Sequence, residues 1–142
     1  GCGETAAELM RSALALWKGP ALSGASADFV EPSRLHLEEK RLADVEWLAE
    51  LELGLGGHHE LIPELTKYVA EHPLRERLRA QLMIALYRSG RQPEALAIAH
   101  EGRKVLAEGY GLDLSPRLRD LVQAVLRQDA RLDVAHHPDH PR

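Results

Sequence analysis

Cysteine and aromatic residues are scarce in this sequence. Its 142 residues include one cysteine, Cys2, and only 4% are Phe, Trp or Tyr. A single cysteine excludes an internal disulfide and a cysteine-rich zinc site, so we expect a reduced, cytoplasmic setting. No apolar run approaches the roughly 20 residues of a membrane-spanning helix. The net charge is only −4 and the two signs are interspersed, which excludes a general polyanion binder.

Motifs for catalysis and metal binding are also missing. There is no glycine-rich phosphate loop, nucleophile elbow or poised pair of acids. Residues 59–63 (HELIP) resemble the zinc-protease pattern HExxH, but that pattern needs a second histidine where Pro63 stands. His136, His137 and His140 fall in a stretch without periodicity, which offers no fixed geometry to a metal. We therefore predict no enzyme, no cofactor and no metal site.

Helix-forming residues are abundant instead, and residues 71–97 show how they are arranged. Leu78, Leu82 and Leu86 recur at the spacing that puts apolar side chains on one helical face. Gly90 stops this helix, because glycine takes the left-handed conformation at low steric cost. Pro93 suits the first turn of the next helix, where its missing N–H costs nothing. The stretch therefore predicts an antiparallel helix pair.

The same pattern extends along the chain and predicts about six helices in an all-α fold. The longest connection covers residues 18–31, and Ser115-Pro116 is a strong helix start. From residue 131 onwards the chain has two prolines and no periodicity, so we expect a disordered tail over 131–142. The face of the second helix that we expect to be buried consists of Leu35, Leu42, Val45, Leu48 and Leu55. The predicted helices span 4–17, 32–55, 59–71, 74–89, 93–108 and 116 to about 130.

The helix pairs repeat with a period of 34 residues. A shift of this length places Leu48 on Leu82, Gly56 on Gly90, Glu60 on Glu94 and Ile62 on Leu96. This is the tetratricopeptide period, in which stacked pairs bury a continuous core that one pair could not form. We therefore predict a tetratricopeptide-like, right-handed stack of antiparallel helix pairs.

Four arginines are candidate contact residues for a partner: Arg75, Arg79, Arg88 and Arg91. Guanidinium groups pair well with an anionic partner or with the carboxylates of a bound peptide. The alternative is a solvated face with ion pairs to nearby glutamates, each of which contributes little. Direct DNA recognition is not expected, because residues 95–111 read as one amphipathic helix despite Gly102 and have no recognition helix.

Several strings in the chain resemble one family. They occur in the expected order at residues 13–22 (ALALWKGPAL), 55–61 (LGGHHEL), 72–78 (HPLRERL), 86–92 (LYRSGRQ) and 111–116 (GLDLSP). They are similar to the bacterial transcriptional activator domain, the helical-repeat module of the antibiotic regulatory protein (SARP) family of activators. The resemblance covers about residues 6–128, and Leu114 departs from it where proline is usual.

This resemblance implies a role in transcription. Such modules follow a winged-helix DNA-binding domain, which we expect to be missing here, so contact with DNA would be indirect. The module, over residues 4–130, would support self-association or contact the upstream domain or RNA polymerase subunits. The Met10, Leu14 and Trp17 helix would lack its usual partner and seek one in a neighbouring chain. A stand-alone, peptide-binding repeat adaptor is the alternative interpretation. No contact with a membrane is expected.

Overall fold

The computed structural model describes residues 27–133, which are helical throughout apart from short connections. Within this range there are five α-helices, one short 3₁₀ helix and no strand, as the all-α prediction requires. The predicted helix over 4–17 lies outside the described residues. The elements are α1 (Ala27–Gly54), α2 (His58–Glu71), α3 (Glu76–Arg88), α4 (Gln92–Tyr110), α5 (Pro116–Arg127) and the 3₁₀ helix (Ala130–Leu132).

Helix α1 begins earlier than the sequence predicts. It starts at Ala27, so the predicted connection over 18–31 is helical from that residue onwards. Pro32 therefore lies inside the helix, where it has no N–H to donate to the preceding turn. The sequence predicts that this proline lies in the first turn of the helix, and the observed helix continues through it.

The chain divides into two compact units, residues 1–52 and 53–142. In the first unit, α1 buries a stripe that includes Leu42, Val45 and Ala49. Leu42 and Val45 were both predicted to face inwards. Leu35 was assigned to the same face but is 62% exposed, because a periodic face is buried only where another element covers it.

In the second unit, α3 lies at the centre and packs against α2, α4, α5 and the 3₁₀ helix. Short connections at 72–75 and 89–91 make α3 antiparallel to each of its sequence neighbours, as predicted. Two side-chain hydrogen bonds connect α3 and α4 to α5. The Glu76 carboxylate of α3 accepts from the N–H of Ser115, just before α5, at 3.1 Å. The Gln92 amide of α4 donates to the Val125 carbonyl of α5 at 2.9 Å. The core of this unit includes Leu61, Leu65, Tyr68, Leu78, Leu82, Met83, Leu118 and Val125.

Several helices begin or end at residues whose own backbone conformation or side chain favours a helix end. Gly90 has φ of 76° and ends α3, as predicted, and the Arg91 N–H bonds back to the Leu86 carbonyl at 2.9 Å. Ser115 caps α5 by accepting from the Leu118 N–H. Helix α5 ends at Arg127 rather than near 130, because Gln128 adopts a left-handed conformation with φ of 53°.

The ordered fold continues past the predicted boundary at residue 130. The 3₁₀ helix packs on α3 and α5, and Leu132 is only 7% exposed. Residues 131–133 therefore belong to the folded unit, although we expected them to begin a disordered tail. The rest of that expected tail, residues 134–142, lies outside the described residues.

Candidate functional site

Arg79 was predicted to contact a partner, but the structure places it inside the second unit. Its side chain is 1% exposed and donates to the carbonyls of Ile98 at 2.9 Å and Pro73 at 3.0 Å. Burial lowers its pKa, and the nearby carboxylates of Glu101 and Glu76 partly offset this effect. A buried guanidinium must be satisfied internally, so Arg79 joins α3 to α4 and is not available at the surface.

Gly102 makes room for the Arg79 side chain. A Cβ atom at position 102 would lie 2.6 Å from Arg79 Cδ and 2.7 Å from Arg79 Nε, which is closer than side-chain carbons approach. Helix α4 nevertheless runs without interruption from Gln92 to Tyr110. Gly102 therefore marks a close approach between two helices and not the turn of a helix-turn-helix motif.

Arg88 also bonds within the fold. Its guanidinium donates to three carbonyls, those of Leu53 at 2.7 Å, Leu132 at 2.6 Å and Asp133 at 3.3 Å. Within the second unit, it thereby links Leu53, the first residue of that unit, to the segment after α5. His58 is close by: burial, followed by the charges of Arg88 and His59, lowers the pKa of His58. His58 is only partly exposed, and its Nδ1 is buried without a hydrogen-bond partner among the described residues.

The two remaining candidate arginines are partly exposed. Arg91 forms a bidentate ion pair with Glu94, at 2.7 and 2.6 Å, which raises the pKa of Arg91 and lowers that of Glu94. Arg75 precedes α3 and is half-buried. The structure thus brings Arg79 and Arg88 into the packing and leaves Arg91 paired at the surface. The four do not form one basic surface.

No chemical centre is found in the part of the chain that the structure describes. Within residues 27–133, no three His, Cys, Asp or Glu side chains come together in a way that could hold a metal ion. His59 and Glu60 are exposed, and Pro63 lies inside α2 where the zinc-protease pattern needs its second histidine. His136, His137 and His140 lie outside the described residues.

Among the residues of the first unit that the structure describes, α1 carries an exposed apolar stripe. Trp47 is 60% exposed, Leu51 is also exposed, and Ala43 lies one turn before Trp47. We call Ala43, Trp47 and Leu51 the α1 stripe. Tryptophan is enriched at the centres of protein interfaces, so an exposed tryptophan beside further exposed apolar residues is a candidate contact residue.

The position of Trp47 around the helix can be derived from the sequence, although the prediction of arginine contacts did not use it. At about 100° per residue, Trp47 lies roughly 140° from Leu42 and 160° from Val45 around the helix. It is therefore on the side of α1 opposite to the buried stripe. The exposure of Trp47 is consistent with a position at a protein interface.

Comparisons with known proteins establish the family. The family model of the bacterial transcriptional activator domain matches residues 1–126. The chain belongs to this family. The resemblance found in the sequence strings is thereby confirmed. No helix within residues 27–133 is long and apolar enough to cross a membrane.

Two relatives of this chain are regulatory proteins by name. The chain is 48% identical over 124 residues to the regulatory protein AfsR of Streptomyces griseus, covering 87% of this chain and 13% of AfsR. It is 43% identical over 133 residues to the regulatory protein DnrI of Streptomyces peucetius, covering 92% of this chain and 48% of DnrI. The chain thus spans less than half the length of these two relatives.

A solved structure agrees with the fold. Mycobacterium tuberculosis EmbR, in complex with a low-affinity phosphopeptide, matches with a TM-score of 0.79 at 37% identity. The match covers 89% of this chain and 34% of the EmbR chain. The predicted tetratricopeptide-like fold of the activator domain is therefore confirmed.

Proposed function

We propose that this chain is a protein-contact module of a transcriptional regulator. Helix α1 presents the α1 stripe on one of its faces, and this stripe binds a protein partner. The partner is a second copy of the chain or RNA polymerase. Any contact with DNA is indirect.

The exposure of Trp47 is the observation that carries this proposal. An exposed tryptophan that belongs to a regular helix is presented without loop flexibility, so little conformational entropy is lost when a partner covers it. The positions of Arg79 and Arg88 support the same interpretation, because two of the four candidate cations are engaged by backbone carbonyls. A basic surface for nucleic acid is not favoured by this arrangement.

The experiment measures binding of the purified chain to purified RNA polymerase holoenzyme and to itself by biolayer interferometry. We expect binding to at least one of the two, weakened about tenfold or more by Trp47→Ala. Leu126→Ala is the matched control, since Leu126 on α5 is 52% exposed and should leave binding unchanged.

Two outcomes contradict the proposal. One is that neither RNA polymerase nor a second copy binds. The other is that binding is equally sensitive to Trp47→Ala and Leu126→Ala, which would indicate nonspecific hydrophobic adhesion. Circular dichroism of each variant checks that the helices are intact.

A further inference from the structure

We propose that His58 and Arg88 form a proton-operated latch on the last segment of the second unit. When the His58 imidazole takes up a proton, Arg88 releases residues 130–133, which then leave their positions against α3 and α5. We call residues 130–133 the closing segment. This inference concerns the second unit alone and does not depend on the α1 stripe.

Arg88 holds the closing segment by its backbone. The guanidinium donates from Nε to the Leu132 carbonyl at 2.6 Å and from Nη2 to the Asp133 carbonyl at 3.3 Å. Its Nη1 donates to the Leu53 carbonyl at 2.7 Å. Because the donors of this planar group have fixed relative directions, it can serve all three carbonyls only from one position. A change that moves Arg88 from this position therefore loosens the closing segment.

His58 lies near Arg88, where a proton on the imidazole is costly. It is the first residue of α2 and is only partly exposed, and its Nδ1 is buried without a hydrogen-bond partner among the described residues. A neutral imidazole can leave Nδ1 unprotonated, whereas the imidazolium carries a proton on both ring nitrogens. Protonation would therefore leave a buried, charged N–H without an acceptor. The amino end of α2 also opposes a positive charge at this position.

Opening of the closing segment relieves this cost. When residues 130–133 leave, Arg88 loses the Leu132 and Asp133 carbonyls as acceptors, and its guanidinium can turn away from His58 into water. In the closed form, burial, followed by the charges of Arg88 and His59, lowers the pKa of His58. The open form therefore binds the proton at a higher pH than the closed form, and acidification shifts the equilibrium towards the open form.

Asp129 and Arg131, the charged pair at the start of the closing segment, keep their charges in mild acid. Asp129 caps the 3₁₀ helix by accepting from the Arg131 N–H at 2.9 Å, and hydrogen bonds between the two side chains lower the pKa of Asp129 and raise that of Arg131. Asp133 contributes its backbone carbonyl to the latch, and its side chain is exposed. His59 is exposed and, as a histidine, can change charge in the same pH range, so it needs a variant of its own.

Amide hydrogen exchange measured by NMR tests the latch in the whole chain. The Leu132 and Asp133 N–H groups close the 3₁₀ helix and report on the closing segment, whereas the buried Leu82 at the centre of α3 reports on unfolding of the whole unit. Local opening should make protection at Leu132 and Asp133 at least about tenfold lower than at Leu82. It should fall a further threefold or more, roughly, from about pH 7.5 to about pH 5.5, after correction for intrinsic exchange.

Three variants identify the titrating group. His58→Gln should leave the protection of Leu132 and Asp133 within about 1.5-fold between the two pH values, because the proton acceptor is gone. His59→Gln is the matched control, since it changes the exposed neighbour and should keep the loss on acidification. His58→Lys places a lasting positive charge near Arg88 and should show the low protection already at neutral pH.

Several results would overturn the inference. Equal protection at Leu132, Asp133 and Leu82 would mean that the closing segment opens only when the whole unit unfolds. Protection that does not change with pH in the original chain would show that no latch operates. A loss on acidification that persists in His58→Gln would assign it to another group. If His58→Lys does not fold, the comparison of His58→Gln with His59→Gln still decides.

Discussion

At the scale of single residues, the arginines show why residue type is a poor guide to role. Arg79 is surrounded by charged neighbours in the sequence, which suggests a solvated position, yet its guanidinium is buried against the carbonyls of Pro73 and Ile98. The second of these carbonyls is 19 residues away, and local sequence reasoning has no access to such a contact. Gly102 is a sequence signal for this contact. Glycine inside a helix lowers its stability, so its presence there indicates that another group packs where a side chain would otherwise be.

The Arg79–Gly102 contact leads to a prediction about stability. We expect Gly102→Ala to destabilise the fold by about 1–3 kcal/mol, because the added methyl group would overlap the Arg79 side chain. Gly109→Ala on the same helix should be neutral or stabilising by up to about 1 kcal/mol, since nothing lies near its Cβ position and alanine favours helix. Urea unfolding measures both. Equal effects at the two positions would show that Arg79 does not pack on Gly102.

His58 provides a second prediction at this scale. Burial, with Arg88 and His59, lowers its pKa below the ordinary value of 6.5. The unfolded chain therefore binds this proton at a higher pH than the folded chain, so acidification through that range favours unfolding. We expect His58 to titrate below 6.5 by NMR, with its resonance assigned from His58→Gln. We also expect the variant to lose less stability than the original chain on acidification. Titration of His58 at or above 6.5 would contradict this account.

At the scale of elements, the sequence predicts helix ends where the stop signal is a local one. Gly90 and Ser115-Pro116 act through their own backbone preferences, and the structure ends α3 and begins α5 at these positions. Gln128 was not recognised as a stop, because glutamine rarely adopts a left-handed conformation. Its Asp129 neighbour donates its N–H to the Ala124 carbonyl at 2.9 Å, a contact that closes the end of the helix. The start of α1 was also missed. Proline suits the first turn of a helix, so the prediction begins this helix at Pro32, whereas the observed helix begins at Ala27 and continues through Pro32.

The segment after α5 depends on Arg88, and this dependence can be tested. Arg88→Lys should destabilise the second unit by about 1–2 kcal/mol, because an ammonium group cannot reproduce the planar fork that serves three carbonyls. We expect faster hydrogen exchange at Leu132 and Asp133, whose N–H groups close the 3₁₀ helix. Arg117→Lys, a change at an exposed position on α5, is the control. Unchanged exchange in Arg88→Lys would show that the 3₁₀ helix is held by Leu132 burial instead.

At the scale of the whole molecule, the sequence predicted the family and the fold class but not the surface that we now favour for function. The all-α, tetratricopeptide-like fold can be predicted from the 34-residue repeat of helix pairs and from the turn residues between the helices, because both signals are local in the sequence. The interaction surface depends on which helical faces remain uncovered, and that is a tertiary property. Trp47 illustrates the difference, since its position opposite Leu42 and Val45 was readable while its exposure was not.

The central claim is that this activator domain binds proteins through the exposed face of α1. The most direct test compares the original chain with Trp47→Ala in binding to RNA polymerase holoenzyme and to a second copy. This account expects a measurable interaction with at least one of them and a loss of about tenfold or more on removing the indole ring. Full retention of binding in Trp47→Ala, with the helices intact, would contradict it.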